Sequence, residues 1–206
     1  MLIALIIGLT GLTFMAWFLI RSPKLSQLAG TLTLLLLACC IGGLSANLAD
    51  HWGMHPRTTV QTTHRIYSAG PATIPNNLLI VRRLGTRAQN YVLIYRTTAT
   101  QSQPQPHFVP DRKQLATATK KRATFRRQAV SRPSVTTTRR EWVFKSALYA
   151  QLLAFDHNNH QLISERTTVT VPLSWRVLTT QEARKVARQD TTVKQKNKFQ
   201  HDLTHR

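Results

Sequence analysis

The chain has 206 residues, with 28 Lys and Arg against eight Asp and Glu, a formal charge of +20 with histidine neutral. Its two cysteines are Cys39 and Cys40, so everything after them is without a thiol; a disulfide-stapled scaffold and a cysteine nucleophile are excluded there. Cations at this density point to a polyanionic partner or a membrane surface.

Residues 2 to 20, LIALIIGLTGLTFMAWFLI, carry no charge. At 1.5 Å per residue they span roughly 28 Å as a helix, close to the hydrocarbon thickness of a bilayer. Residues 28 to 49 form a second uncharged block. Two such blocks exceed what one small soluble domain buries, and both read as transmembrane helices. Pro23 is expected to end the first, leaving RSPKLSQ as a turn that permits only an antiparallel hairpin. A cleaved signal peptide is the rival, but the first block lacks a basic n-region and a small-x-small site before Arg21. LLAC, ending at Cys39, resembles a lipoprotein box, yet the chain stays apolar beyond it; lipidation there is the lesser alternative. Ala38, Gly42 and Ala46, with Ala4, Gly8 and Ala16, are expected to form the face on which the two helices pack. The same residues could instead dock another membrane protein.

Arg21 and Lys24 are the only charged side chains before Asp50. The flank after the second helix, out to residue 69, also holds two cations, Arg57 and Arg65. The turn carries its pair at higher density and nearer the bilayer. The positive-inside rule therefore places the turn in the cytoplasm and the large domain outside the cell membrane. Trp17 and Trp52 then lie near opposite interfaces.

Residues 50–206 are long enough for one core. RTTVQTTHRIYSA (57–69) alternates, with Val60, Thr62, His64 and Ile66 on one face. Residues 77–84 and 90–98 flank GTRAQ as a hairpin, and 136–145 and 161–178 read as further strands. SALYAQLLAF leans helical. TTQEARKVARQ starts a helix with Thr180 as its cap, Glu182 early and cations later. The expected fold is a membrane α-helical hairpin of two transmembrane helices (about 2–20 and 28–49, within residues 1–49). A small mainly-β (α+β) domain with a C-terminal helix follows over 50–206. Residues 99–134 are rich in Pro, Gln and cations with few large apolar side chains, and read as a disordered insertion. Residues 191–206 read as a frayed basic tail.

The stretches DHWGMHPRTT, RREWVFK, DHNNHQ and RTTVTVPLSWRVLT carry a likeness. With them the chain resembles an uncharacterised, domain-of-unknown-function family of small two-span membrane proteins of lactic-acid bacteria. The resemblance covers most of the chain and implies a membrane location. It supplies no catalytic residue and no cofactor.

The residues themselves offer little chemistry. His157 and His160, beside Asp156, could begin a metal site for an envelope enzyme or metal-dependent factor, but a third committed ligand is missing; a polar turn is the simpler reading. His51 and His55 would share a helix face only if the second helix continued, and Gly53 and Pro56 argue against it. There is no GxSxG serine, no Gly-rich phosphate cradle and no isolated carboxylate pair. Glu165 beside Arg166, and Glu141 beside Arg140, read as ordinary strand charge pairs. No enzyme and no cofactor is expected.

The cations remain. Between Asp111 and Lys145 there are eleven Lys and Arg against two acids. Arg112, Lys113, Lys120, Lys121, Arg122, Arg126, Arg127, Arg139 and Arg140 are the expected polyanion contacts. The partners expected are the membrane itself, anionic lipids, wall polymers or another membrane protein. Nucleic acid fits poorly, because Phe125 is the lone aromatic in the basic run KKRATFRRQAVSRPS (120–134). It returns as the alternative only if the topology is inverted and the domain faces the cytoplasm.

Overall fold

The computed structural model describes residues 1–70, 77–85, 89–111, 113–155 and 158–186. The chain divides into two compact units. One comprises Met1–Thr58 and Arg140–Ile163, and the other Thr59–Arg139 and Ser164–Arg206.

The first unit opens with two helices, α1 (Leu2–Phe18) and α2 (Pro23–Asp50). Pro23 does not terminate α1. It stands at the N-terminal start of α2, where its missing N–H costs nothing and its fixed φ suits the first turn. α2 therefore begins five residues before the uncharged block and takes Lys24 into its first turn. It is the one helix among the described residues that is long and apolar enough to cross a membrane; α1, at 17 residues, is shorter.

Of the six small residues expected on the packing face, Ala16 and Ala46 turn from solvent and the other four do not. Leu2, Ile6, Leu9, Thr13 and Ala16 turn from solvent on α1, and Ser26, Gly30, Thr33, Leu37, Cys40, Leu44 and Asn47 on α2. Steps of three and four residues alternate, which is the seam of a left-handed helix pair. Ser26 Oγ donates to the Ala16 carbonyl at 2.9 Å, and Gly30 lies so close under the Trp17 indole that a Cβ would collide with Nε1. Ala38, Ala4, Gly8 and Gly42 face outward instead, with open space around both glycines. Identity as a small residue does not fix which side of a helix faces its partner; the 3.5-residue phase does.

α2 ends where Gly53 and Pro56 imply. His51 adopts the left-handed conformation (φ 55°), Trp52 N–H reaches back to the Ala46 carbonyl at 3.2 Å, and Gly53 (φ 83°) turns the chain into β1 (Met54–Thr63). A collar of side chains then fixes this exit. Asn47, 2% exposed, donates from Nδ2 to the Trp52 carbonyl at 2.7 Å and accepts from Asn158 Nδ2 at 3.0 Å. The His51 ring stacks on Trp142 at 4.4 Å and shares a 3.1 Å hydrogen bond with Gln161 Oε1. Trp52 meets Tyr149 edge-on at 5.4 Å. Tyr149 belongs to α4 (Ala147–Leu153), the helix expected in SALYAQLLAF, whose N-cap Ser146 accepts from Tyr149 N–H at 3.4 Å.

In the second unit the strands β2 (Leu78–Arg83) and β3 (Tyr91–Tyr95) form the expected antiparallel hairpin, with Ile80 opposite Ile94. β4 (Gln105–His107) and β8 (Arg176–Thr179) complete the sheet β4-β3-β2-β8, β8 lying parallel to β2. The other sheet has the order β1-β6-β7-β5, with β5 (Lys121–Gln128), β6 (Ser134–Phe144) and β7 (Gln161–Pro172). The core is built from both sheets: Leu79, Val81, Leu93 and Tyr95 from one, Ala123, Val135, Val169 and Val171 from the other, with Ile66 and Trp175. Residues 180–186 are helical. The fold is a mixed-sheet α+β domain behind an apolar N-terminal helical segment.

Four sequence expectations change here. The segment 99–134 is not structureless where it is described: it holds β4, the helical turn α3 (Leu115–Ala118) and β5. Local composition underestimated β5, since two inward residues, Ala123 and Phe125, suffice once β7 supplies the facing backbone. The apolar run 161–178 is two strands, broken after Pro172, where Trp175 N–H returns to the Pro172 carbonyl at 3.0 Å. β1 does not bury its alternating face: Val60 is 61% exposed, and of that face only Ile66, beyond the strand, enters the core. The final helix is capped by Thr179, not Thr180. Thr179 Oγ1 accepts from Glu182 N–H at 3.3 Å while Glu182 Oε2 accepts from Thr179 N–H at 2.7 Å, a reciprocal capping box. The tail 191–206 lies outside the described residues.

Candidate polyanion-binding face

β5 lies at the edge of its sheet and runs parallel to β7, with Lys121 opposite Glu165 and Gln128 opposite Pro172. Successive strand residues point to opposite faces. Lys121, Ala123, Phe125 and Arg127 therefore share the inner face; Arg122, Thr124 and Arg126 share the outer one. Ala123 is 2% exposed, and its N–H is held by Asn90 Oδ1 at 2.8 Å. Phe125 meets Tyr91 edge-on at 5.1 Å. Buried on one side and anchored at both ends, β5 presents its cations in a fixed row.

The same alternation corrects the assumed charge pairs. Glu165 and Arg166 are neighbours on β7 and so point apart. Glu165 lies against Lys121 at 3.9 Å on the inner face, whereas Arg166 stands beside Arg122 on the outer face. Likewise Glu141 turns from Arg140 and takes His160 Nδ1 at 2.8 Å.

The nine expected contacts therefore do not act alike. Lys121 has its carboxylate partner, and Arg127 Nη2 donates to the Leu173 carbonyl at 2.5 Å. Lys113 and Lys120 are exposed around α3. Arg139 and Arg140 are exposed on β6, but they fall in different units. Arg112 lies outside the described residues. Arg122 and Arg126 are exposed on the outer face, and Arg166, which composition alone did not single out, completes the group. The signal for Arg166 was its place in SERTTVTV: period-two alternation puts it opposite the buried Thr167 and Val169. Elsewhere cations are held by the fold, as at Arg96, whose Nε donates to the Ser68 carbonyl at 2.6 Å and Nη2 to that of Gly70 at 3.2 Å.

Threonines lie between the arginines on β5 and β7 and continue on β1 and β6. Thr124 and Thr168 hydroxyls are 3.3 Å apart, and Thr62 and Thr136 hydroxyls 3.2 Å apart. At the start of β5 a cleft of about 240 Å³ is lined by Asn90, Phe108, Asp111, Gln114, Lys121 and Glu165.

Of the histidine turn's candidate ligands, the structure describes His160. His160 adopts a left-handed φ of 61° and is bound to Glu141; Asp156 and His157 lie outside the described residues. Among the described residues no three His, Cys, Asp or Glu side chains gather as ligands.

The family model Domain of unknown function (DUF4811) matches residues 22–186, most of the chain. No curated protein and no solved structure matches it.

Proposed function

This chain belongs to the DUF4811 family, and we propose that it is a two-pass, non-enzymatic protein of the cell membrane that displays a basic β-rich domain to anionic polymer or lipid outside the cell. The observation that carries the membrane part is uncovered apolar surface. On α2, Leu28 is 72% exposed, Leu35 64% and Leu32 59%; on α1, Phe18 is 74% and Ile7 68%. Side chains of this kind over two successive helices suit lipid better than water, which supports the membrane reading. The hydroxyls agree: Thr10, Thr13, Thr31 and Thr33 each donate to the carbonyl four residues back, at 2.7–2.9 Å. No partner outside the helix is needed for them. α1 is short for a span, but Leu19 and Ile20 extend its apolar length, and its seam with α2 favours insertion as a pair. The resemblance to two-span membrane proteins of lactic-acid bacteria fits the same arrangement.

The polyanion part rests on the exposed cations of β5 and β7. Orientation rests on Arg21 and Lys24 flanking the helix turn. Single cysteines at Ser68 and Ser134, in a chain whose Cys39 and Cys40 are replaced, test it with an impermeant maleimide. Labelling in intact cells supports the outward domain; protection until lysis inverts it and ends the envelope reading.

A further inference from the structure

We propose that Arg122, Arg166 and Arg126 form a seat for successive phosphodiesters of an anionic polyol-phosphate polymer. The inference rests on the polyanion reading above and names its residues and ligand chemistry. The parallel register sets Arg122 directly beside Arg166 on the solvent face. Like charges so opposed repel, and no ion pair to either is found among the described residues. One position earlier the same strands set Lys121 against Glu165. The strand pair thus has complementary charge on its inner face and uncompensated like charge on its outer one. A phosphodiester lying between two guanidinium forks removes that repulsion and accepts bidentate, charge-assisted hydrogen bonds from both.

Arg126 lies four residues further along β5 on the same face, roughly 13 Å away along the strand. The Thr124 and Thr168 hydroxyls lie between, suited to polyol hydroxyls. A single phosphate fills only the Arg122–Arg166 pair; a chain of regularly spaced phosphodiesters also reaches Arg126. The face offers no stacking platform, since Phe125 turns inward onto Tyr91. Nucleic acid would lack the aromatic contacts that single strands use.

Binding is measured for the full-length chain in zwitterionic nanodiscs. The probes are poly(glycerol phosphate), glycerol phosphate monomer, phosphatidylglycerol vesicles and a single-stranded oligonucleotide. The polymer should bind most tightly. R166E should weaken it on the order of tenfold or more, with R122E behaving alike. K113E makes the same charge change on the exposed bend before α3 and should weaken it much less. R166E gives Arg122 an opposite partner in place of a like one, so its thermal midpoint should hold or rise, which separates lost binding from lost folding. Equal losses in R166E and K113E would mean diffuse attraction and overturn the seat. Monomer or vesicles binding as tightly as polymer, or the oligonucleotide binding more tightly, would overturn the ligand class. If the unaltered chain bound none of the four, the proposed function itself would fall, not only the seat.

Discussion

Asn158→Ala is the sharpest test of the collar at the end of α2. Asn158 Nδ2 donates to Asn47 Oδ1 at 3.0 Å and to the Leu153 carbonyl at 2.9 Å, while its Oδ1 accepts from Phe155 N–H at 3.0 Å. Each such bond contributes about 1 kcal/mol net, and stranding a buried acceptor costs roughly 1–3 kcal/mol more. Asn47 is 2% exposed, so its Oδ1 has no ready water; Phe155 is 44% exposed, and its N–H regains one. The expected loss is about 3–5 kcal/mol, a fall in midpoint on the order of 10 °C for a chain of this size. Asn159, next in the chain, is exposed, and among the described residues its Oδ1 accepts only from the adjacent His160 N–H at 3.1 Å. Its alanine variant should lose less than about 1 kcal/mol. Thermal unfolding of the full-length protein in detergent, followed by tryptophan fluorescence, compares the two. Equal shifts, or an Asn158→Ala shift within about 2 °C, would refute the claim that this amide joins α2 to the segment after α4.

Three further outcomes follow from the geometry. Gly30→Ala should destabilise the helix pair by about 1–3 kcal/mol, because the Trp17 indole must move; Gly42→Ala, with open space around it, should leave the detergent melting temperature unchanged. Burial holds His107 below the ordinary value of 6.5, against the opposing pull of its hydrogen bond to the Tyr95 carbonyl. The unfolded chain thus takes up the proton first, so this contribution to stability is complete above 6.5 and falls away as pH drops through the lowered value. His107→Phe keeps the stack on Tyr95 and should flatten that part of the pH profile in a denaturant series. Glu182 is held below its ordinary 4.5 by the Thr179 N–H, then the Thr179 hydroxyl, with Lys185 adding a lesser pull. Its support of the helix start is complete above 4.5 and lost only as pH falls through the lowered value; the Thr179 amide shift should report this by NMR and cease to titrate in Glu182→Ala.

Much of the candidate face was legible as composition but not as geometry. The density of Lys and Arg between residues 111 and 145 marked the region, yet Lys121 and Arg127 turn inward while Arg166, outside it, joins the outer row. Alternation within SERTT already separates Glu165 from Arg166, and the spacing Thr179 to Glu182 already spells a capping box; both signals are local and both were readable. The partner of β5 was not, because parallel pairing with β7 joins segments about forty residues apart and leaves no short-range pattern.

The sequence by itself determined the elements whose physics is local. An uncharged run long enough to cross a bilayer, the stop at Gly53, the β2–β3 hairpin and the helix in SALYAQLLAF all follow from length, periodicity and turn chemistry within a few residues. Only the tertiary structure decided which side of each element faces a partner. The helix seam fell on Ser26, Gly30 and Thr33 rather than on Ala38 and Gly42, because an indole found room at Gly30. A charge-rich segment became a strand because β7 lay ready to pair with it. Two arginines far apart in the chain came to share one face because register is a property of the paired strands, and neither strand carries it alone.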